Sequence, residues 1–469
     1  MTLPLLIACT GADPEPAENP ADSGVSLEDT GDTTAPPDGF TLGDPITTTG
    51  FMLDVVTGYE WTDAVMLDAS TALLGGVTGY GIFDVDTAEL IGDYREARSY
   101  RVDAHNGLAI VVERTEPPLV IDVSDPRNPS DHARGSGDMR DGTAYQDVAI
   151  HDGLILIGWQ EQGARFFSDR LNELGTFPGE QVFAVELFED RALITDLDAL
   201  ILLDVTDPSA PTEITRTDLP GEGRDLSVSG SHVAVGMGGL GVMVFDLTDD
   251  VLTPRGQVTP PGSSTGVSID GDYLWIAGWE QVALAWLGEG GPVVLGHEEP
   301  SQSAMGIGAG FGRAVVGDWY AASALAVNEG VGGPELVIED TLWFTEGGSS
   351  QSIRIRNNGI FDLTLSLEAP TTGFSAEAAD LTLAPGESHT LTITPPDTRD
   401  EGPGLLAYTS NDPDEQSGVI ELDWTSLGVG STHPDFSMQG FTLPDKTLST
   451  FTLSDYEGQA VYLAYWAMY

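Results

Sequence analysis

The chain is poor in cysteine and in basic side chains. Cys9 is the single cysteine among 469 residues, so no internal disulfide can form and any fold must rest on packing. Lysine occurs once, at Lys446, and Lys and Arg together number 18 against 75 Asp and Glu, a net charge of −57. Such a field repels phosphate backbones and anionic headgroups, which argues against nucleic acid and against polybasic membrane binding. It also attracts cations. No apolar run reaches the roughly 18 residues that a membrane-crossing helix requires. The length is sufficient for several domains with cores of their own.

The cysteine closes the run Leu6-Ile7-Ala8-Cys9, apolar residues followed by a small one. This order resembles the lipobox of bacterial lipoproteins. The resemblance implies lipidation of Cys9, membrane attachment through that lipid alone, and a location on the bacterial cell envelope or outside the cell. Residues 1–9 would then be a signal remnant; they hold no Lys or Arg, so a charged leader is expected upstream. Residues 10–41, rich in Ala, Pro, Asp, Glu, Thr and Gly, read as a disordered acidic linker.

From about Phe51 to Asn328 a pattern recurs at roughly 40 residues, within the period range of solenoids and propellers. Each unit has two alternating apolar strands, such as Asp147-Val148-Ala149-Ile150-His151 and Leu154-Ile155-Leu156-Ile157-Gly158. A third apolar run closes on a polar residue: Gly81-Ile82-Phe83-Asp84, Leu119-Val120-Ile121-Asp122, Arg165-Phe166-Phe167-Ser168, Ile201-Leu202-Leu203-Asp204 and Met243-Val244-Phe245-Asp246. Weaker copies stand at Leu284-Ala285-Trp286 and Leu325-Ala326-Val327-Asn328, which brings the number of units to seven. The sharper copies lead into Ser124-Asp125-Pro126-Arg127-Asn128-Pro129 and Thr206-Asp207-Pro208-Ser209-Ala210-Pro211, where proline fixes φ and Asp caps the turn. These residues resemble the LVIVD-repeat family, most sharply in the second, fourth and fifth units. The resemblance implies a seven-bladed β-propeller, placed at residues 42–333. Physics points the same way, because a small sheet with two apolar faces and open edges is covered when sheets stack radially. The seventh unit lacks an outer strand, and Gly50-Phe51-Met52-Leu53-Asp54-Val55-Val56 is expected to supply it.

Residues 334–427 keep the period of two but lose the repeat. Several short strands separated by Asn357-Asn358-Gly359, Ala384-Pro385-Gly386-Glu387 and Ser410-Asn411-Asp412-Pro413-Asp414 argue for a β-sandwich. Those turns look like the Hydin-related, choice-of-anchor immunoglobulin-like domains of bacterial surface proteins. Residues 428–469 carry Pro434-Asp435-Phe436, Phe451 to Gln459, and the apolar strand Ala460 to Ala467. They are similar to the opening of the redoxin group in the thioredoxin-like superfamily, which includes alkyl hydroperoxide reductase and thiol-specific antioxidant proteins. That family places its nucleophilic cysteine just beyond the Trp-Ala strand end, and residues 428–469 contain none, so the segment reads as a truncated thioredoxin-like piece. The expected fold class is all-β: propeller, sandwich, then this incomplete segment.

Aligning the seven inner strands places Asp63, Arg101, Asp147, Ala184, Asp225, Gly266 and Met305 at one position, at the mouth of the central channel. Three loops on that face carry Trp159, Trp279 and Trp319. Asp63, Asp147 and Asp225 beside aromatic rings suit recognition of a glycan or a cation such as calcium, with hydroxyls bonding to Asp and sugar faces stacking on Trp. The other assignment has these aspartates capping turns and the tryptophans packing between sheets. His105 and His151 precede Asn-Gly and Asp-Gly and belong to hairpin turns, so no metal is expected from them. There is no phosphate loop and no nucleophile elbow. The expectation is a surface-tethered, monomeric binding or scaffold protein for a glycan, cation or protein ligand, with no catalytic residues and no bound cofactor. The alternative is an extracytoplasmic thiol oxidoreductase whose catalytic part lies beyond residue 469.

Overall fold

A computed structural model describes residues 39–424, apart from short internal stretches of which 137–144 is the longest, and the backbone of 5–6, 437–442 and 447–452. Cys9, most of the linker and residues 453–469 lie outside the described residues, and with them the lipidation and redoxin readings. All regular elements among the described residues are strands, and no helix is long and apolar enough to cross a membrane.

Seven four-stranded antiparallel sheets follow one another from residue 46 to residue 327. Their innermost strands are Trp61–Met66, Arg101–His105, Asp147–His151, Val182–Phe188, Asp225–Ser229, Gly266–Asp270 and Gly306–Gly310. The second strand and the apolar-run-plus-Asp strand of each unit come next, and an exposed fourth strand ends the sheet. Both faces of the middle strands are buried, as Ala199–Asp204 shows with only its last residue partly exposed. This explains continuous apolar runs instead of alternation: each sheet lies between two neighbours.

The terminal Asp of those runs starts the turn to the fourth strand. Asp84 Oδ1 accepts the N–H groups of Asp86 and Thr87, Asp122 Oδ1 that of Ser124, and Asp204 Oδ1 that of Thr206, at 2.9–3.1 Å. At the same end of the sheet, where Asp122 pairs with Leu108, the His105-Asn106-Gly107 and His151-Asp152-Gly153 hairpins turn through left-handed residues, with φ of 51° and 79° in one and 46° and 79° in the other.

The apolar core is distributed over the sheet interfaces, with separate clusters joining each consecutive pair of sheets. A further cluster joins the last sheet to the first through Trp61, Phe83, Val315 and Ala322, which closes the ring. The seventh sheet takes its fourth strand from the N-terminal side. Ile46–Leu53 pairs antiparallel with Ala321–Val327, beginning four residues before the expected Gly50. Thr41–Leu42 adds a parallel pair with Val331–Gly332, so both chain segments that flank the ring are held at the same place.

Residues 336–424 form two sheets around one core of Phe344, Ile353, Ile355, Leu365, Leu406 and Leu422. Here the strands alternate strictly, with Leu363, Leu365 and Leu367 inward and Thr364 and Ser366 outward, because each sheet has one neighbour only. Ile360 leaves this sandwich and packs into the cluster between the sixth and seventh sheets of the ring. Deleting residues 39–53 should expose the edge of Ala321–Val327 and lower the melting temperature by at least about 10 °C, a several-kcal/mol loss for a chain of this kind. Circular-dichroism melts and size-exclusion chromatography check this; an unchanged melt would mean that the strand does not close the ring.

Candidate functional site

The inner strand of each sheet has a second edge with no strand to pair with, so its N–H groups need other acceptors. At five of the seven junctions side chains from the preceding sheet supply them. Asp63 Oδ2 accepts the N–H of Val102 at 2.9 Å, Asp147 Oδ2 that of Val185 at 2.8 Å, and Asp225 Oδ2 that of Val267 at 2.6 Å. Two positions further along, Asp103 accepts from Ile150 at 2.7 Å, Ser227 from Ile269 at 3.0 Å and Ser268 from Ala309 at 2.9 Å. The three aligned aspartates therefore cap a neighbouring strand edge instead of a turn.

Their remaining charge faces Arg101. Its guanidinium lies 3.7 Å from Asp63 Oδ1 and 3.5 Å from Asp225 Oδ1, bridging the first and fifth sheets across the channel. Burial pushes the Asp63 carboxyl up to about 6 in spite of Arg101. Burial likewise raises Asp103 to about 7, and holds Asp147, Glu186 and Asp225 above the ordinary carboxylate range.

Above this layer a pocket of about 540 Å³ opens at the mouth. Thr62, Tyr100, Gln146, Phe183, Arg224, Thr265 and Met305 line it, one from each sheet. Their equivalence follows from the backbone: the N–H groups of Tyr100, Gln146, Arg224 and Thr265 bond to the last carbonyl of the neighbouring second strand, and that of Met305 to the carbonyl of Gly317, one residue before the end of Arg313–Asp318. Met305 thus belongs to the mouth layer, and the seventh member of the Asp63 layer is Gly306, whose pairing with Gly317 matches that of Gly266 with Ala277. The glycine-rich strand of the seventh unit carries no side-chain pattern that fixes its register, which is why Met305 and not Gly306 matches the others in sequence.

The three tryptophans separate. Trp279 has a left-handed backbone, φ 63°, and its carbonyl accepts the N–H of Ala304 in the next sheet at 3.1 Å. Trp319, φ 51°, makes the same weld to Trp61, and Gln160, φ 43°, makes it to Val182. The residue equivalent to Trp279 in the third sheet is therefore Gln160. Trp159, one position earlier, points inward, 1% exposed, with Tyr145 against its face and Arg165 at 4.4 Å over it. As a stacking surface Trp159 is corrected: it packs between sheets. Trp279 is half-buried and lines the pocket, together with Tyr100 and Phe183; Trp319 is half-buried and does not line it. Arg224 lies 4.5 Å over the Phe183 ring and pairs with Glu222 at the rim.

The LVIVD repeat family matches this chain at residues 183–218 and 261–282, the fourth unit and the inner half of the sixth. The sixth is one of the two whose third run is weak. Known structures agree on the architecture. U3-55K, at 10% identity, superposes with a TM-score of 0.50 over 61% of this chain and 100% of its own. The Cps50 (Swd1) β-propeller domain of Myceliophteria thermophila does so at 11% identity, TM-score 0.50, again over 61% of this chain and 100% of its own. The ring is a β-propeller. The RRP9 WD40 repeats give the same score at 10% identity over 60% of this chain and all of theirs. No curated protein matches the chain in sequence.

The raised channel carboxyls fix the sign of a pH dependence. A carboxyl whose pKa is higher folded than unfolded binds a proton more readily in the folded chain, so it favours folding at low pH and that contribution is lost as pH rises. For Asp103 the window runs from the ordinary carboxylate value, 3.8, to about 7. The propeller should melt lower at pH 8 than at pH 5. Asp103→Asn keeps an acceptor for Ile150 and removes the charge, and should raise the pH 8 melting temperature by about 3 °C. Melts of both chains across pH 4.5–8 check this, and a variant no more stable than the parent at pH 8 would refute it.

Proposed function

We propose that the chain is a binding protein whose propeller mouth takes a neutral, hydroxyl-rich ligand, a short glycan. The observation that carries this reading is the composition of the mouth: aromatic Tyr100, Phe183 and Trp279 beside Gln146, Arg224, Glu222, Ser263 and Thr265 in one pocket. Rings offer faces for the apolar side of a sugar, and planar amide, guanidinium and carboxylate groups offer paired hydrogen bonds to vicinal hydroxyls. The pocket volume falls in the range of small-molecule sites. A bare cation fits less well, since Asp63, Asp147 and Asp225 already serve backbone N–H groups, and Asp63 and Asp225 also hold Arg101. The lipobox at Cys9 and the acidic spacer support display on a bacterial surface, and the turns of the sandwich support an immunoglobulin-like support domain.

Trp279 provides the test, because its left-handed backbone separates binding from folding. Trp279→Gly relieves a conformation that costs a non-glycine residue about 1 kcal/mol, so stability should hold or rise. The same change should weaken glycan binding about tenfold or more through the lost stacking surface. Glycan-array screening, then calorimetry on the parent and the variant with calcium titrated in parallel, gives the answer. A parent that binds calcium but no glycan, or a variant that binds glycan as the parent does, would overturn the reading.

A further inference from the structure

A second cluster of ligand-type side chains, none of which lines the mouth pocket, lies at the seam between propeller and sandwich. His297 is the penultimate residue of the fourth strand of the sixth sheet, Val293–Glu298, whose second half is buried up to it. Glu335 precedes the first strand of the sandwich, and Asp414 lies in the Asp412-Pro413-Asp414 turn between Gly404–Ser410 and Ser417–Trp424. One ligand atom from each of the three falls within 4.8 Å of the other two, and His297 Nδ1 lies 3.7 Å from Asp414 Oδ2.

The environment makes this more than an acidic patch. Glu335 is 1% exposed, and neither of its carboxylate oxygens receives a hydrogen bond. His297 is 7% exposed, and its Nδ1 faces Glu335 Oε1 in close contact without hydrogen-bond geometry. Asp412 is not free to help, since its Oδ2 accepts the N–H of Leu336 at 2.6 Å. Buried Glu335 and Asp412 and exposed Asp414 therefore crowd one place at the edge of the seam, and the basic side chain that faces Glu335 and Asp414 there is His297. Buried carboxylates that share one imidazole, with Glu335 Oε2 left without a donor, are costly unless further positive charge compensates them.

We propose that His297 Nδ1, Glu335 and Asp414 bind one divalent transition-metal ion, of the zinc or manganese class, which clamps the sandwich to the propeller. One imidazole and two carboxylates suit such an ion better than calcium, which takes oxygen ligands almost alone. Four-coordinate zinc with bonds near 2.1 Å sets ligand atoms about 3.4 Å apart, close to the spacing of His297 and Asp414. Asp414 is solvent-exposed, which gives the ion a way in and water its remaining coordination position. The three ligands come from three separate segments, so the ion would bind the docked arrangement and not the unfolded chain.

The test uses the full chain, stripped with chelator and then titrated with Zn²⁺ by calorimetry and with Co²⁺ by visible absorption. We expect one saturable equivalent, Co²⁺ bands of a nitrogen- and oxygen-ligated site, and a melting temperature that rises with Zn²⁺ concentration. Asp414→Asn and His297→Gln should each weaken that equivalent about tenfold or more and cancel the rise. Glu339→Gln, at an exposed carboxylate four residues after Glu335, should change neither. If one ligand variant does not fold, the other carries the comparison. A parent with no saturable equivalent would mean that His297 and Glu335 form a proton-carrying pair only, and variants that bind as the parent does would place the ion elsewhere; either result overturns the site.

Discussion

The propeller depends on how its inner strands dispose of an edge that has no strand to pair with. Each unit turns that edge to the channel, and at five of the seven junctions the unit before it reaches across with a carboxylate or hydroxyl to accept the N–H. Asp63, Asp103, Asp147, Asp225, Ser227 and Ser268 all do so. This constraint draws acidic groups into a narrow space. Arg101 then offsets part of their repulsion, and burial holds their carboxyls above the ordinary range. The mouth pocket rests on this layer, one residue further out, so its shape is set by bonds that hold the sheets together.

Much of the ring is visible in the residues themselves. Continuous apolar runs ending in Asp report strands buried on both faces, with an Asx turn to follow. The seventh unit's missing outer strand and an orphan strand near residue 50 point to closure, and the strand is found at Ile46–Leu53. The alternation of Leu363-Thr364-Leu365-Ser366-Leu367 reports a sheet with one dry face. In each case a periodic burial environment has written a periodic sequence.

What the sequence does not show is whatever depends on a single-residue register or on distant segments. Trp159 and Trp279 both follow a second strand, yet one lies a position before the left-handed residue and the other occupies it, so one ring enters the core and the other the pocket. Met305 lies one layer further out than its alignment with Asp63 implies, because the glycine-rich strand beside it carries no register mark. Asp103, an acceptor for Ile150, lies two residues beyond the aligned position, and nothing in the sequence around Arg101 marks its two partners. His297, Glu335 and Asp414 belong to no motif at all. Only the docking of the sandwich, through Ile360 and the Asn411 to Asp414 turn, brings them together.

The closing strand has a consequence for how the chain comes into being. Ile46–Leu53 must wait for Ala321–Val327 before it has a partner, so for most of synthesis the growing molecule is an open arc with two bare sheet edges. Such edges are templates for pairing with other chains, and contacts this distant in sequence form slowly. A net charge of −57, spread over the chain, makes two unfinished arcs repel each other. The acidity then acts as a chaperone built into the composition, keeping each arc apart from its copies until its first strand meets its last sheet.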